Sequence, residues 1–134
     1  MIHYVCKYAP VELFKGFGQE CAVLEEMPEN FDKSDKIAHA NLCGFGKSVI
    51  QAVLEGKVEE LVLVNCCDSM RRVYDIIENT KKCKFLYMLD LPHEDNECEN
   101  IKFAQSILRL KNAYERYSNR TFDRELFIKS FANP

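Results

Sequence analysis

The run Leu61-Val-Leu-Val64 constrains this chain more than any other segment. It is an unbroken apolar stretch with β-branched valines, preceded by Glu59 and Glu60 and followed by Asn65. Such a run suits a central strand of a parallel sheet, buried on both faces rather than on one. Parallel neighbours need long crossover connections, and the flanking sequence supplies helices for them. Phe85-Leu-Tyr-Met-Leu89 reads as a further buried strand, with shorter strands predicted at His3–Cys6 and Glu20–Leu24. Pro10, tolerated at a first helical position, opens a predicted helix to Phe17, and Gly18 ends it. Asn41 is the predicted cap of a helix carrying Ser48, Val49, Ile50, Val53 and Leu54 and ending at Gly56.

After the Leu61–Val64 run, Asp68 or Ser69 is expected to cap a helix through Val73, Tyr74, Ile76 and Ile77. The final third is helical. Ile101, Ala104, Ile107, Leu108, Tyr114 and Tyr117 recur at three- and four-residue spacing along one long amphipathic helix, and Asp123 starts a last one. Residues 25–40 are polar and irregular, a surface excursion before the Asn41 helix. Alternating strands and helices imply an α/β fold: a small parallel sheet of about four strands with helices on both faces, Rossmann-like and three-layered, followed by a helical C-terminal segment.

Size and charge narrow the function. A chain of 134 residues is long enough for one domain with its own core. A net charge of -3 leaves no electrostatic footprint for nucleic acid. No apolar run approaches the ~20 residues that span a bilayer. The first ten residues do not read as an export signal, so the expected location is the cytoplasm.

Seven cysteines, an odd number in a chain with no export signal, argue for reduced thiols used for metal, catalysis or burial rather than for disulfides. Cys6, Cys43 and Cys67 each stand where a turn is expected, close to a strand end or a helix start. In a parallel sheet those positions share one edge, where ligands of such folds bind. A helix N-terminus also favours the thiolate that grips a metal. The wide spacing excludes the compact motifs of ferredoxins and zinc ribbons, and leaves metal ligation and simple burial both open. Cys21 and Cys83 read as small core hydrophobes, and Cys98 as an exposed residue at a helix start. Cys66 and Cys67 are adjacent and point opposite ways in an extended segment, and Cys67 is favoured for the site.

Other candidates are weaker. Gly44-Phe-Gly-Lys-Ser48 has part of a phosphate-loop pattern but lacks the first glycine, since Asn41 stands there, and no strand leads into it. Gly44 and Gly46 are better explained by close backbone approach to a bulky ligand or by a tight helix start. His3, His39 and His93 are scattered, and no nucleophile with a histidine–acid pair is recognisable. Arg71 is a candidate receiver for an acidic substrate, whereas Arg72 suits surface pairing with acids such as Asp75.

Four segments, in order and spacing, resemble the 2-hydroxyacyl-CoA dehydratase D-component family, which includes benzoyl-CoA reductase subunits and double-cubane proteins. They are Cys6-Lys-Tyr-Ala-Pro10, Asn41-Leu-Cys43, Asn65-Cys-Cys-Asp-Ser-Met-Arg-Arg72 and Tyr87-Met-Leu-Asp-Leu-Pro92. The resemblance covers nearly the whole chain. It implies a [4Fe-4S] cluster held from separate loops, with Cys6, Cys43 and Cys67 at the family's ligand positions. It also implies an ATP-dependent activator iron-sulfur protein as electron donor, an acyl-CoA substrate, a homologous partner subunit or a homodimer, and an anaerobic metabolism. In the dehydratases a low-potential electron makes a ketyl radical from a 2-hydroxyacyl-CoA, and water leaves.

Family subunits are longer, with a second α/β domain that supplies a further cysteine. The expectation here is therefore one α/β domain over residues 1–134, matching the family's N-terminal cluster-binding part without the second domain. Three readings stand: a dehydratase or reductase component incomplete in this short chain, a non-catalytic cluster-carrying electron-transfer module, and a structural or protein-binding α/β domain.

Overall fold

The computed structural model describes residues 1–5, 9–24, 30–38, 42–65, 68–92 and 94–132. Four strands, β1 (Ile2–Tyr4), β2 (Cys21–Val23), β3 (Glu60–Val64) and β4 (Phe85–Leu89), form one sheet in the order β2-β1-β3-β4. Every neighbouring pair is parallel. The register sets Tyr4 level with Val62 and Val64 level with Leu89. The chain crosses back through helices α1 (Val11–Lys15), α2 (Gly44–Leu54) and α3 (Asp68–Thr80), and α4 (Glu97–Ser118) and α5 (Arg124–Ala132) follow β4.

The β3 run explains the layering. Successive residues of a strand face opposite sides. Leu61 and Leu63 pack with Val49, Ile50 and Val53 of α2 and with Met70, Val73 and Ile77 of α3. Val62 turns the other way, into a cluster with Leu13 and Phe14 of α1 and Leu110 and Tyr114 of α4. All four residues from Leu61 to Val64 are buried, each worth ~1.5–3 kcal/mol when fully removed from water. The three-layer expectation holds, and β4 has the predicted bounds.

The short strands end earlier than the sequence suggests. β1 stops at Tyr4, so the predicted strand residue Val5 lies beyond it, and Cys6 falls outside the described residues. Pro10 is the cap of α1 and not its first residue, and Gly18 adopts a left-handed φ of 72° beyond the helix. Asn41, the predicted cap of α2, also lies outside the described residues, and Cys43 fills the role, with an extended backbone and its sulfur accepting from Gly46 N–H at 3.4 Å. Asp68 is the first residue of α3 and Ser69 the second, so both stand inside the helix rather than capping it.

Two glycines are fixed by packing. A Cβ on Gly46 would stand 3.0 Å from Val73 Cγ2 and 3.2 Å from Leu42 Cγ, so this glycine lets α2 and α3 cross closely rather than admitting a ligand. A Cβ on Gly16 would collide with the Phe122 ring, which lets the segment before α5 dock on the end of α1. The excursion before α2 is partly ordered by a 3-10 turn at Ser34–Lys36. Buried Gln51 of α2 holds it, its Oε1 accepting from Lys33 N at 3.0 Å and Ser34 N at 2.9 Å.

Candidate metal and substrate site

Because all strands are parallel, their carboxyl ends share one edge, and α2 and α3 begin there. Cys43 stands on this edge, exposed, at the N-terminus of α2. Gly46 N–H chiefly, then the Ser69 hydroxyl and Phe45 N–H, hold its thiol below the ordinary cysteine range by hydrogen bonds to the sulfur. The packing of Gly46 on Val73 sets α2 beside α3, whose first residue is Asp68. Cys67 precedes that start by one residue in the chain, and Cys6 follows Tyr4 by two. Tyr4 and Val64 end hydrogen-bonded neighbours, β1 and β3. Cys6 and Cys67 themselves lie outside the described residues, as do Cys66, His39 and His93.

Among the described residues, no group of three His, Cys, Asp or Glu side chains gathers as a metal site. The described share of the expected donor set nevertheless suits a cluster. A sulfur that is exposed, supported by several N–H and O–H donors and favoured as thiolate is what an iron-sulfur centre requires of a ligand. The other described cysteines have a different character. Burial pushes Cys21 and Cys83 up to about 11, and Cys83 Sγ lies 3.2 Å from the Glu59 and Phe85 carbonyl oxygens. Both are half-buried and pack against the core clusters, at the border of the core rather than inside it as expected. Cys98 is exposed in the first turn of α4, as expected.

The same edge carries a cleft of about 410 Å³ between the ends of β3 and β4 and the side of α4. Its floor is a lock between two loops. Asn65 Nδ2 donates to Asp90 Oδ1 at 3.0 Å, and Asn65 Oδ1 accepts from Leu91 N–H at 2.7 Å. Arg71, expected to receive an acid, lies 3.6 Å from Asp90. Across the cleft Lys102 pairs with Glu99 at 3.5 Å, and Arg109 Nη2 donates to the Ser106 hydroxyl at 3.1 Å. Of the cations on the walls, Arg71 and Lys102 are thus paired with the two acids of the lining, and Arg109 faces the cleft from a serine contact. Sequence reasoning missed Asn65, Lys102, Ser106 and Arg109. The one available signal was an Asn at the end of the strongest strand, since no spacing rule relates positions so far apart.

The phosphate-loop pattern dissolves. Gly44 to Ser48 is helix, Lys47 pairs with Asp35 at 3.1 Å, and the Ser48 hydroxyl donates to the Gly44 carbonyl at 2.9 Å. His3 Nδ1 is buried with no hydrogen-bond partner among the described residues, and burial, then the nearby N-terminal ammonium, lowers its pKa toward the neutral ring. Among the described residues, no helix is long and apolar enough to cross a membrane.

Comparison with curated proteins gives no match. Comparison with protein families matches residues 6–133 to one described as 2-hydroxyglutaryl-CoA dehydratase, D-component. That span takes in all four resembling segments, both loops flanking the edge that bears Cys43, and the cleft beside it. The chain belongs to the 2-hydroxyglutaryl-CoA dehydratase D-component family.

Proposed function

We propose that this chain is the cluster-bearing part of a 2-hydroxyacyl-CoA dehydratase, with Cys6, Cys43 and Cys67 as ligands of a [4Fe-4S] cluster. The observation that carries the reading is Cys43: an exposed sulfur at a helix N-terminus, accepting a hydrogen bond from Gly46 N–H, on the edge where β1 and β3 end. When bound, the cluster would be held by Cys6, Cys43 and Cys67 and would supply the low-potential electron for a ketyl-radical elimination of water from a 2-hydroxyacyl-CoA.

The chain's own residues bind and orient. Cys43 gives up its proton more readily than an ordinary thiol, because hydrogen bonds to its sulfur favour the thiolate. Arg109 and Lys102 receive the anionic part of the substrate along α4, while the Asn65–Asp90–Leu91 lock ties the ends of β3 and β4 together. Leu91, Pro92 and Phe103 give the cleft an apolar wall that limits water. The electron donor is an ATP-dependent activator iron-sulfur protein, in the cytoplasm. Exposed Leu126, Ile128 and Phe131 on α5 support a homologous partner subunit or a second copy.

The test is anaerobic reconstitution with iron and sulfide. The expected result is matched iron and acid-labile sulfide in the wild type. Cys6→Ser, Cys43→Ser and Cys67→Ser should each lose charge-transfer absorbance and keep the circular dichroism of the fold. A wild type that takes up no iron overturns the reading in favour of a structural domain. Uptake with electron acceptance from an activator but no acyl-CoA binding favours the electron-transfer module.

A further inference from the structure

We propose that the open edge of β4 is a self-association surface, on which a second copy of this chain pairs its own β4 antiparallel about a two-fold axis. The inference needs neither cluster nor substrate, so it stands or falls apart from the function proposed above. β4 is the last strand of the sheet, and its ladder with β3 is unbroken over all five residues. In a parallel ladder alternate residues turn their N–H and C=O to opposite neighbours. Phe85 N–H donates to the Glu59 carbonyl and the Leu89 carbonyl accepts from Asn65 N–H, so Phe85, Tyr87 and Leu89 serve β3. Leu86 and Met88 therefore turn their peptide groups outward, where no strand stands among the described residues. Exposed edges are normally blunted by a charge, a proline, a bulge or brevity. Phe85-Leu-Tyr-Met-Leu89 has none of these, whereas the other edge strand, β2, is only three residues long. Leu86, Tyr87 and Met88 stay half-buried while Leu61 to Val64 of β3 are buried, and one further strand would complete the cover.

Charge singles out a second copy as the occupant. Lys81, Lys82 and Lys84 lead into β4, and Asp90, Glu94 and Asp95 follow it, all exposed. A parallel pairing of two such strands sets like charges side by side. A two-fold antiparallel pairing sets the basic start of each strand on the acidic end of the other. With the axis through Tyr87, Leu86 stands opposite Met88 of the second copy, and their outward peptide groups exchange hydrogen bonds. The same register sets Lys84 opposite Asp90 of the second copy. Within one chain Lys84 reaches Glu59 at 3.5 Å and Asp90 reaches Arg71 at 3.6 Å, exposed pairs that hold these side chains weakly. The contacts of Asp90 with Arg71 and Asn65 both use Oδ1. On the α4 side of the edge, a groove of about 460 Å³ lined by Tyr87, Arg109, Asn112 and Arg116 gives room for the second tyrosine.

The experiment is sedimentation equilibrium of the metal-free protein, with reductant present so that exposed Cys43 and Cys98 cannot bridge copies. The wild type should form a concentration-dependent dimer whose Kd rises with salt. Lys84→Glu sets like charges across both ends of the pairing and should raise Kd by about tenfold. Adding Asp90→Lys to it should restore the dimer. Met88→Pro removes an outward N–H and spares the β3 ladder, so it should be monomeric with the circular dichroism of the fold retained. A wild type that is monomeric at every concentration overturns the inference, and so does a dimer that Lys84→Glu leaves unchanged or that the double variant fails to restore. A dimer that persists in folded Met88→Pro overturns it too; if that variant does not fold, the charge pair decides. A dimer lost in Phe131→Glu but kept in Lys84→Glu belongs to α5 and overturns the β4 assignment.

Discussion

The two edges of the sheet treat the same chemistry in opposite ways. Where strands begin, Cys21 and Cys83 are enclosed and their thiols are pushed up to about 11. Tyr114 there is fully buried, edge-on to Phe14 at 5.4 Å, Phe17 at 5.1 Å and Phe85 at 5.1 Å, with its hydroxyl donating to Glu60 at 3.4 Å. Where strands end, Cys43 is exposed and held toward thiolate, and the neighbouring contacts are polar locks between loops. Stability is concentrated at one edge and reactivity at the other. The division has a physical source: helix N-termini and loop N–H groups point to the strand-end edge, while the aromatic side chains of α1 and α4 close the opposite one.

The sharpest way to break this contrast is to delete at each edge in turn. Tyr114→Ala should cost about 3–5 kcal/mol in urea unfolding, as expected for a large buried aromatic. Cys43→Ala should cost no more than ~1 kcal/mol, the scale of a lost helix cap. Equal losses would mean that the strand-end edge is as much a part of the core as the other.

Thiol reactivity sharpens the contrast next. A pKa of about 11 leaves roughly one thiol in a thousand ionised at pH 8. Cys43 in the metal-free protein should be alkylated at least about tenfold faster than Cys21 or Cys83, after allowing for the weaker nucleophilicity of a low-pKa thiolate. Peptide mapping of iodoacetamide-treated native protein gives the rate for each cysteine, with exposed Cys98 as the reference. Uniform rates would erase the distinction.

A smaller effect probes the lock. Asn65→Ala removes bonds to Asp90 and Leu91 and should lower stability by about 1–2 kcal/mol, leaving the Leu91 N–H without its partner. Tm measured beside Asn65→Asp separates the two bonds, since Asp keeps the acceptor toward Leu91 and sets a like charge against Asp90.

The smallest expected effect is alkaline. Cys21 and Cys83 sit at about 11 when folded against an ordinary 9.0, so the unfolded chain gives up these protons first. Their contribution is complete below pH 9 and is lost as pH rises through 11. Tm should decline gently over that window, and Cys83→Ala should flatten the decline. Tyr117, pushed up to about 12 by burial and then by Glu60, adds the same sign at the alkaline end.

Local signals served well where one strong preference acted without competition. β4 could be read to the residue, and β3 lacked only Glu60 at its start, because a long apolar run buried on both faces has few alternatives. Asp123 was rightly placed at the start of α5, where its carboxylate accepts from Glu125 and Leu126 N–H at 2.9 and 3.3 Å. The start of α2 misled. Asn is a strong capping residue, so Asn41 was the local choice, yet Cys43 does the capping and the joint at Gly46 against Val73 marks where α2 can begin beside α3.

The amino-acid sequence determined the parallel sheet, its alternation with helices and the family, because periodicity, β-branching and motif order act along the chain. The three-dimensional structure decided that Cys43 caps a helix, that Asn65 ties the ends of β3 and β4, and that a polar cleft opens beside them. Each of these depends on how closely two elements approach. That distance follows from side-chain volumes summed over a packed interface, and no single stretch of sequence contains it.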